Sequence, residues 1–202
     1  MKIDFLDIGT CDFETSADEI HNNPSASIIL VEPLKFYLDN IPEHDNITKV
    51  NVAISNENST TKIFYITQDT IDKFSLPGWL RGCNSMGKPH VTALKELSNR
   101  GLPINHIKNY EIECITFDEL CNRYGVTSIG RLKIDTEGND HLILEQVLEK
   151  IKNGFEIDSI IFEYQKEFHN IGELNKLSEE FKMIGYTHSW ASAIDVLLTK
   201  VK

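Results

Sequence analysis

Short apolar runs alternate with longer amphipathic stretches along most of the chain. Phe5-Leu6-Asp7-Ile8 is too short for an ordinary helix and stops at Gly9, so a buried strand is expected over 5–8. The turn Asp7-Ile8-Gly9-Thr10-Cys11-Asp12 then leads into a helix over 14–22, with glycine suited to positive φ and to close approach by a ligand. A second strand over 27–31 ends at Glu32, and Pro33 stands where a helix running towards Ile41 should start. Positions 50–54 alternate as a third strand, with 62–66 as its hairpin partner across the turn at 56–59. Further strands are expected over 110–116, 129–134 and 157–164. Helices are expected from Phe117 to just before Gly125, over 141–153 and over 171–184. The last two segments, 186–189 and 195–201, read as an antiparallel hairpin.

Strands that alternate with helices of this length predict a doubly wound, Rossmann-like α/β sheet, mostly parallel with an antiparallel C-terminal hairpin. The stretch 67–103 breaks the pattern. It is rich in turn residues, including Leu76-Pro77-Gly78-Trp79 and Gly82-Cys83-Asn84-Ser85-Met86-Gly87, and only 91–100 reads as helix. A long irregular segment in a compact domain suits a lid facing a substrate.

At 202 residues, with 41% hydrophobic and 25% charged positions, the chain suits one domain over 1–202. A net charge of −11 argues against nucleic acid and anionic membranes as partners. No apolar stretch reaches the ~18 residues of a membrane-spanning helix, and no secretory signal is visible, so a cytoplasmic location is expected. Cys11, Cys83, Cys114 and Cys121 lack CxxC spacing and read as free thiols.

Chemistry concentrates where strands are expected to end. Glu32, about 25 residues after the first strand's glycine turn, sits where an acid's two oxygens can accept both hydroxyl protons of a ribose. Arg131-Leu132-Lys133-Ile134-Asp135-Thr136-Glu137-Gly138 runs from apolar strand to two carboxylates and a glycine, and Glu163 ends the following strand. If those strands are neighbours, Asp135 and Glu163 face one pocket. With Glu137 they offer either a general base for an alcohol or an oxygen-rich site for Mg²⁺ held by Asp135 and Glu163. His169 is an alternative base. The plainer readings are that Asp135 and Glu137 cap the next helix and that Glu163 is a solvated strand end. On the same plain footing His169 and His188 make local hydrogen bonds, and Trp79 and Trp190 are core or lid packing.

Asp7-Ile8-Gly9, Val31-Glu32-Pro33, Asn51-Val52-Ala53-Ile54-Ser55, Ile115-Thr116-Phe117-Asp118-Glu119-Leu120 and Leu132-Lys133-Ile134-Asp135-Thr136-Glu137-Gly138-Asn139-Asp140 stand in this order. Together they resemble the FkbM family of S-adenosylmethionine-dependent methyltransferases. The resemblance implies a class I methyltransferase fold and transfer of a methyl group from S-adenosyl-L-methionine to a hydroxyl of a sugar or glycan. It implies cofactor contacts from Asp7, Gly9, Thr10 and Cys11, the ribose acid at Glu32, and Ala53, Ile54 and Ser55 beside the adenine. The family's acidic block falls on Asp135 and Glu137; Glu163 joins them as a catalytic candidate by its place at the end of the next strand, and Asp12 could still receive the methionine ammonium. The cofactor loop reads Thr10-Cys11-Asp12-Phe13 where the family pattern continues Ala-Asn-x-Gly. A catalytically silent binding module is therefore the alternative, ahead of a protein or nucleic-acid methyltransferase. Relatives carry helices before the first strand, so the chain reads either as a minimal form or as part of a larger glycan-processing polypeptide.

Overall fold

A computed structural model describes residues 1–11, 23–167 and 169–201. The helix expected over 14–22 lies outside them, as does Asp12. In chain order the first elements are β1 (Lys2–Ile8), β2 (Ile28–Val31), α1 (Lys35–Asn40), β3 (Ile47–Val50), β4 (Ala53–Ile54) and β5 (Ser59–Ile66). Next come α2 (Gln68–Lys73), a 3₁₀ turn (Gly78–Arg81), β6 (Ser85–Met86), α3 (Val91–Asn99), a second 3₁₀ turn (Ile104–His106) and β7 (Ile107–Ile115). The chain continues with α4 (Phe117–Arg123), β8 (Ser128–Ile134), α5 (Asp140–Lys152), β9 (Glu156–Glu163), α6 (Ile171–Met183), β10 (Tyr186–Trp190) and β11 (Asp195–Lys200).

The main sheet has seven strands in the order β10-β11-β9-β8-β1-β2-β3. Neighbours from β9 to β3 pair in parallel, and β11 joins β9 and β10 antiparallel, so the expected C-terminal hairpin closes one edge. Apolar side chains cover both faces, as a parallel sheet requires. Leu6, Ile29, Val31, Leu132 and Ile134 pack into one large core with residues of α4, α5 and α6. Phe5, Ile28 and Leu30 meet Leu38 and Ile41 in a separate, smaller cluster. Order runs β1-β2-β3 to one side and β8-β9 to the other, so it reverses between β1 and β8. In such sheets the ligand crevice opens at that reversal, beyond the carboxyl ends of the strands.

Two expectations fail around residue 50. The strand expected over 50–54 is split: Val50 ends β3 in the main sheet, while Ala53 and Ile54 form β4 in a second, four-stranded sheet of order β4-β7-β5-β6. At the split, Asn51 Nδ2 donates to the carbonyls of Glu32 and Pro33, both at 2.9 Å. These bonds let the backbone leave one ladder for another. The hairpin partner is also different. β5 runs antiparallel to β7 from Ser59↔Cys114 to Ile66↔Ile107, and β4 pairs with β7 in parallel. A local turn signal at 56–59 cannot reveal that a strand from 107–115 will insert between the two segments. The helix expected to begin at Pro33 instead begins at Lys35.

The stretch 67–103 is more ordered than its composition suggests. Its α2, 3₁₀ turn and α3 bury Ile71, Leu76, Leu80, Cys83, Ala93 and Leu97 against Ile66 and Ile107, a core of its own beside the second sheet. Thr67 caps α2 by accepting from the Thr70 N–H. No helix among the described residues is long and apolar enough to cross a membrane.

Candidate active site

The crevice is built at the carboxyl ends of β1 and β8. The Asp135 N–H donates to the Ile8 carbonyl at 2.9 Å, which carries the pairing one residue past β8. Gly9 follows with φ +89°, and a Cβ built there would lie 1.8 Å from the Asp135 carbonyl oxygen. The glycine is therefore required by the chain's own backbone, a different reason from the ligand approach expected of it. One position earlier, Asp7 and Lys133 are cross-strand partners in register. Lys133 Nζ lies 3.4 Å from Asp7 Oδ1 and 3.1 Å from Asp135 Oδ2. Burial alone would lower the lysine's pKa, but the two carboxylates outweigh it and raise the value, so the ammonium persists.

Glu32 ends β2 and is 3% exposed. Its Oε1 accepts from the Leu34 N–H at 2.8 Å and its Oε2 from the Cys11 N–H at 2.9 Å, with Cys11 at φ +46°. Burial pushes its pKa up to about 7, opposed by those two donors and assisted by Asp7 and Asp135. Each oxygen keeps a second lone pair for an incoming hydroxyl.

A cavity opens from this acid. It is lined by Ile8, Gly9, Cys11, Val31, Glu32 and Pro33, by the apolar Val52, Ala53, Ile54 and Ile63, by Gly82, Asn84 and Met86 of the 67–103 stretch, and by Asp135, Thr136 and Glu137. Of the expected cofactor residues, Gly9, Cys11, Glu32, Ala53 and Ile54 line this cavity. Asp7, Thr10 and Ser55 do not. Asp7 is wholly buried beside Lys133, Thr10 is buried, and the Ser55 carbonyl accepts from Gln146 Nε2.

β8 and β9 are parallel neighbours, so Asp135 and Glu163 end on the same edge. One oxygen each from Asp135, Glu137 and Glu163 lies within 4.8 Å of the others. Burial raises all three carboxyl groups, and neighbouring acids add to it: Asp135 and Glu137 take Glu163 to about 8, Asp135 and Asp140 help hold Glu137 well above the usual range, and at Asp135 the Lys133 ammonium opposes the rise that Asp140 and Asp7 assist. Glu163 Oε1 accepts from Gln165 Nε2, while its Oε2 is buried without a hydrogen-bond partner among the described residues. Neither Asp135 nor Glu137 caps the next helix. Asn139 is the N-cap of α5 and makes no side-chain cap bond.

Three residues outside the expected set border this edge. Lys133 is one. Asp140, wholly buried at the start of α5, accepts from the Thr136 N–H at 3.0 Å and Thr136 Oγ1 at 2.6 Å through Oδ1, and from the Glu163 N–H at 3.3 Å through Oδ2. His90 is the third, with Nε2 3.1 Å from Glu137 Oε2; burial chiefly, then the His169 charge, lowers its pKa to about 4. His169 makes local bonds: its Nδ1 accepts from the Gln165 N–H and its Nε2 faces Asp140 Oδ2 at 3.5 Å. Trp79 and Trp190, expected as packing, are 52% and 56% exposed. Trp190 stands edge-on to Tyr164 at 5.4 Å, and His188 lies tilted against the same indole.

The methyltransferase FkbM domain matches residues 7–186. The chain belongs to the FkbM methyltransferase family. Among solved structures, a methyltransferase FkbM from Methylobacillus flagellatus KT aligns with a TM-score of 0.55 at 11% identity, covering 98% of this chain and 44% of that one. The chain thus spans less than half the length of that FkbM relative. TrmK of M. capricolum, in complex with S-adenosyl-homocysteine, aligns at 0.40 with 12% identity over 100% of this chain and 63% of its own. Precorrin-6y C5,15-methyltransferase from Geobacter metallireducens GS-15 aligns at 0.43 with 12% identity over 100% and 81%. Neither of the last two likenesses is close enough to bear on this chain's substrate. No curated protein matches the chain.

Proposed function

We propose that the cavity binds S-adenosyl-L-methionine and that the acidic edge receives a hydroxyl of a sugar or glycan, to which the methyl group passes. The observation that carries the reading is a buried acid, Glu32, at the end of β2, in one cavity with Asp135 and Glu137. The ribose hydroxyls would donate to the free lone pairs of Glu32, and the base would lie along Ala53 and Ile54. Transfer forms an O–CH₃ bond as the S–CH₃ bond breaks in line, so much of the acceleration rests on positioning. The hydroxyl proton passes to a base. Asp135 suits this role: its side chain keeps 38% of its surface open and the Lys133 ammonium favours its charged form. Burial raises Glu137 and Glu163, Glu163 to about 8, which favours the acid forms and with them donors to the acceptor sugar.

The three clustered oxygens are also a donor set that fits Mg²⁺. Asp135, Glu137 and Glu163 would hold the ion, which when bound lowers the pKa of a coordinated hydroxyl. The net charge of −11 supports a neutral acceptor over a nucleic acid. Calorimetric titration with S-adenosylhomocysteine and methyl transfer onto a panel of monosaccharide glycosides test the reading. Absence of binding heat would refute it, and binding without transfer to any acceptor would favour the silent module. EDTA-treated protein that keeps full turnover would remove the Mg²⁺ from the scheme.

A further inference from the structure

We propose that Tyr110 is a positioning residue for the cofactor acid, acting on Glu32 through the single peptide group between Pro33 and Leu34. The inference rests on the reading of Glu32 as the acid that holds the ribose. The Tyr110 hydroxyl donates to the Pro33 carbonyl at 2.6 Å. That carbonyl and the Leu34 N–H belong to one planar peptide unit, and the Leu34 N–H donates to Glu32 Oε1 at 2.8 Å. A donor on the carbonyl polarises the amide, so the phenol strengthens the bond that aims one carboxyl oxygen of Glu32. The same hydroxyl accepts from the Lys35 N–H at 3.3 Å and so grips the turn on both sides of Leu34. Asn51 Nδ2 gives the Pro33 carbonyl a second donor at 2.9 Å. Pro33 itself lines the cavity beside Glu32. Tyr110 stands in β7, 77 residues further along the chain than Pro33. Its ring is set edge-on against Tyr65 of β5 with centroids 5.9 Å apart, and Tyr65 packs in turn on Phe36 of α1 at 5.5 Å. The second sheet thereby reaches the end of β2 and fixes the acid there.

The competing role is ring packing alone. Tyr110→Phe separates the two, since it keeps the ring against Tyr65 and removes only the hydroxyl. Asn51 still serves the Pro33 carbonyl in that variant, so no acceptor is stranded and the fold should survive. The first readout is the Leu34 amide proton in ¹H–¹⁵N spectra of the unliganded protein. With the ring current of the aromatic side chain retained, loss of the carbonyl's donor should weaken the bond to Glu32 and move that proton upfield. The second readout is a split between KM and kcat. The dissociation constant of S-adenosylhomocysteine and the KM for S-adenosyl-L-methionine should each rise roughly 3-fold to 10-fold, the contribution of about one hydrogen bond. At saturating cofactor kcat should be unchanged, because Tyr110 acts on the cofactor's acid and not on the acidic edge. A Leu34 amide proton that stays in place would overturn the relay. An unchanged dissociation constant, or a fall in kcat at unchanged KM, would overturn the positioning role. Unsubstituted protein that does not bind S-adenosylhomocysteine defeats only the reading of Glu32 as the ribose acid, and the Leu34 amide then still decides the relay.

Discussion

Replacing Gly9 by alanine would drive a methyl group to within 1.8 Å of the Asp135 carbonyl oxygen at a φ of +89°, so β1 and β8 could no longer meet at the crevice. The expected loss is upwards of about 3 kcal/mol, read as a lower midpoint in urea unfolding. Glu32 yields a prediction of a different kind. Its carboxyl is raised from 4.5 to about 7 in the unliganded fold. The sign follows: its contribution to stability is complete below pH 4.5 and is lost as pH rises through about 7, because the buried acid form is favoured. Ribose hydroxyls that donate to the carboxylate would favour the charged form, so S-adenosylhomocysteine should bind more tightly above pH 7 than below it. Roughly half a proton per site should leave on binding at pH 7, measurable by calorimetry in buffers of different ionisation enthalpy. Glu32→Gln should abolish that release. Glu32 was legible because one acid follows one apolar run. His90 was not, because nothing in an irregular stretch tells which histidine will fold back onto Glu137.

At the scale of elements, α5 and β9 are fastened to the loop after β8 by a single side chain. Asp140 takes two hydrogen bonds from Thr136 and one from the Glu163 N–H in a wholly buried place. Asp140→Ala would strand those donors and remove the partner facing His169, at a cost of about 3 kcal/mol. Urea unfolding checks it, and a loss under 1 kcal/mol would mean that the Thr136 loop holds without this anchor. The strand-to-helix alternation that predicted β8, α5, β9 and α6 held because each carries its own apolar periodicity. The segment 50–54 carries a strand's alternation too, yet periodicity cannot say which sheet a strand joins. Asn51 and the intruding β7 decided that.

At the scale of the whole molecule, the cavity lies between the crevice edge of the main sheet and the second sheet with its helical unit, so a ligand there would tie both together. At 100 times its dissociation constant, S-adenosylhomocysteine should stabilise the fold by about 2.7 kcal/mol. That corresponds to a rise in Tm of roughly 5–10 °C for a chain of this size, readable in a thermal-shift assay. By itself the sequence determined the doubly wound α/β class, the strand ends bearing Glu32, Asp135 and Glu163, and the family, since these follow from local periodicity and from short blocks of fixed order. Only the tertiary structure decided that the chain forms two sheets, that Lys133 bridges Asp7 and Asp135, that Asp140 ties Thr136 to the Glu163 backbone, and that His90 comes to lie beside Glu137. Those contacts join residues far apart in the chain, and their partners are set by packing, which no local pattern records.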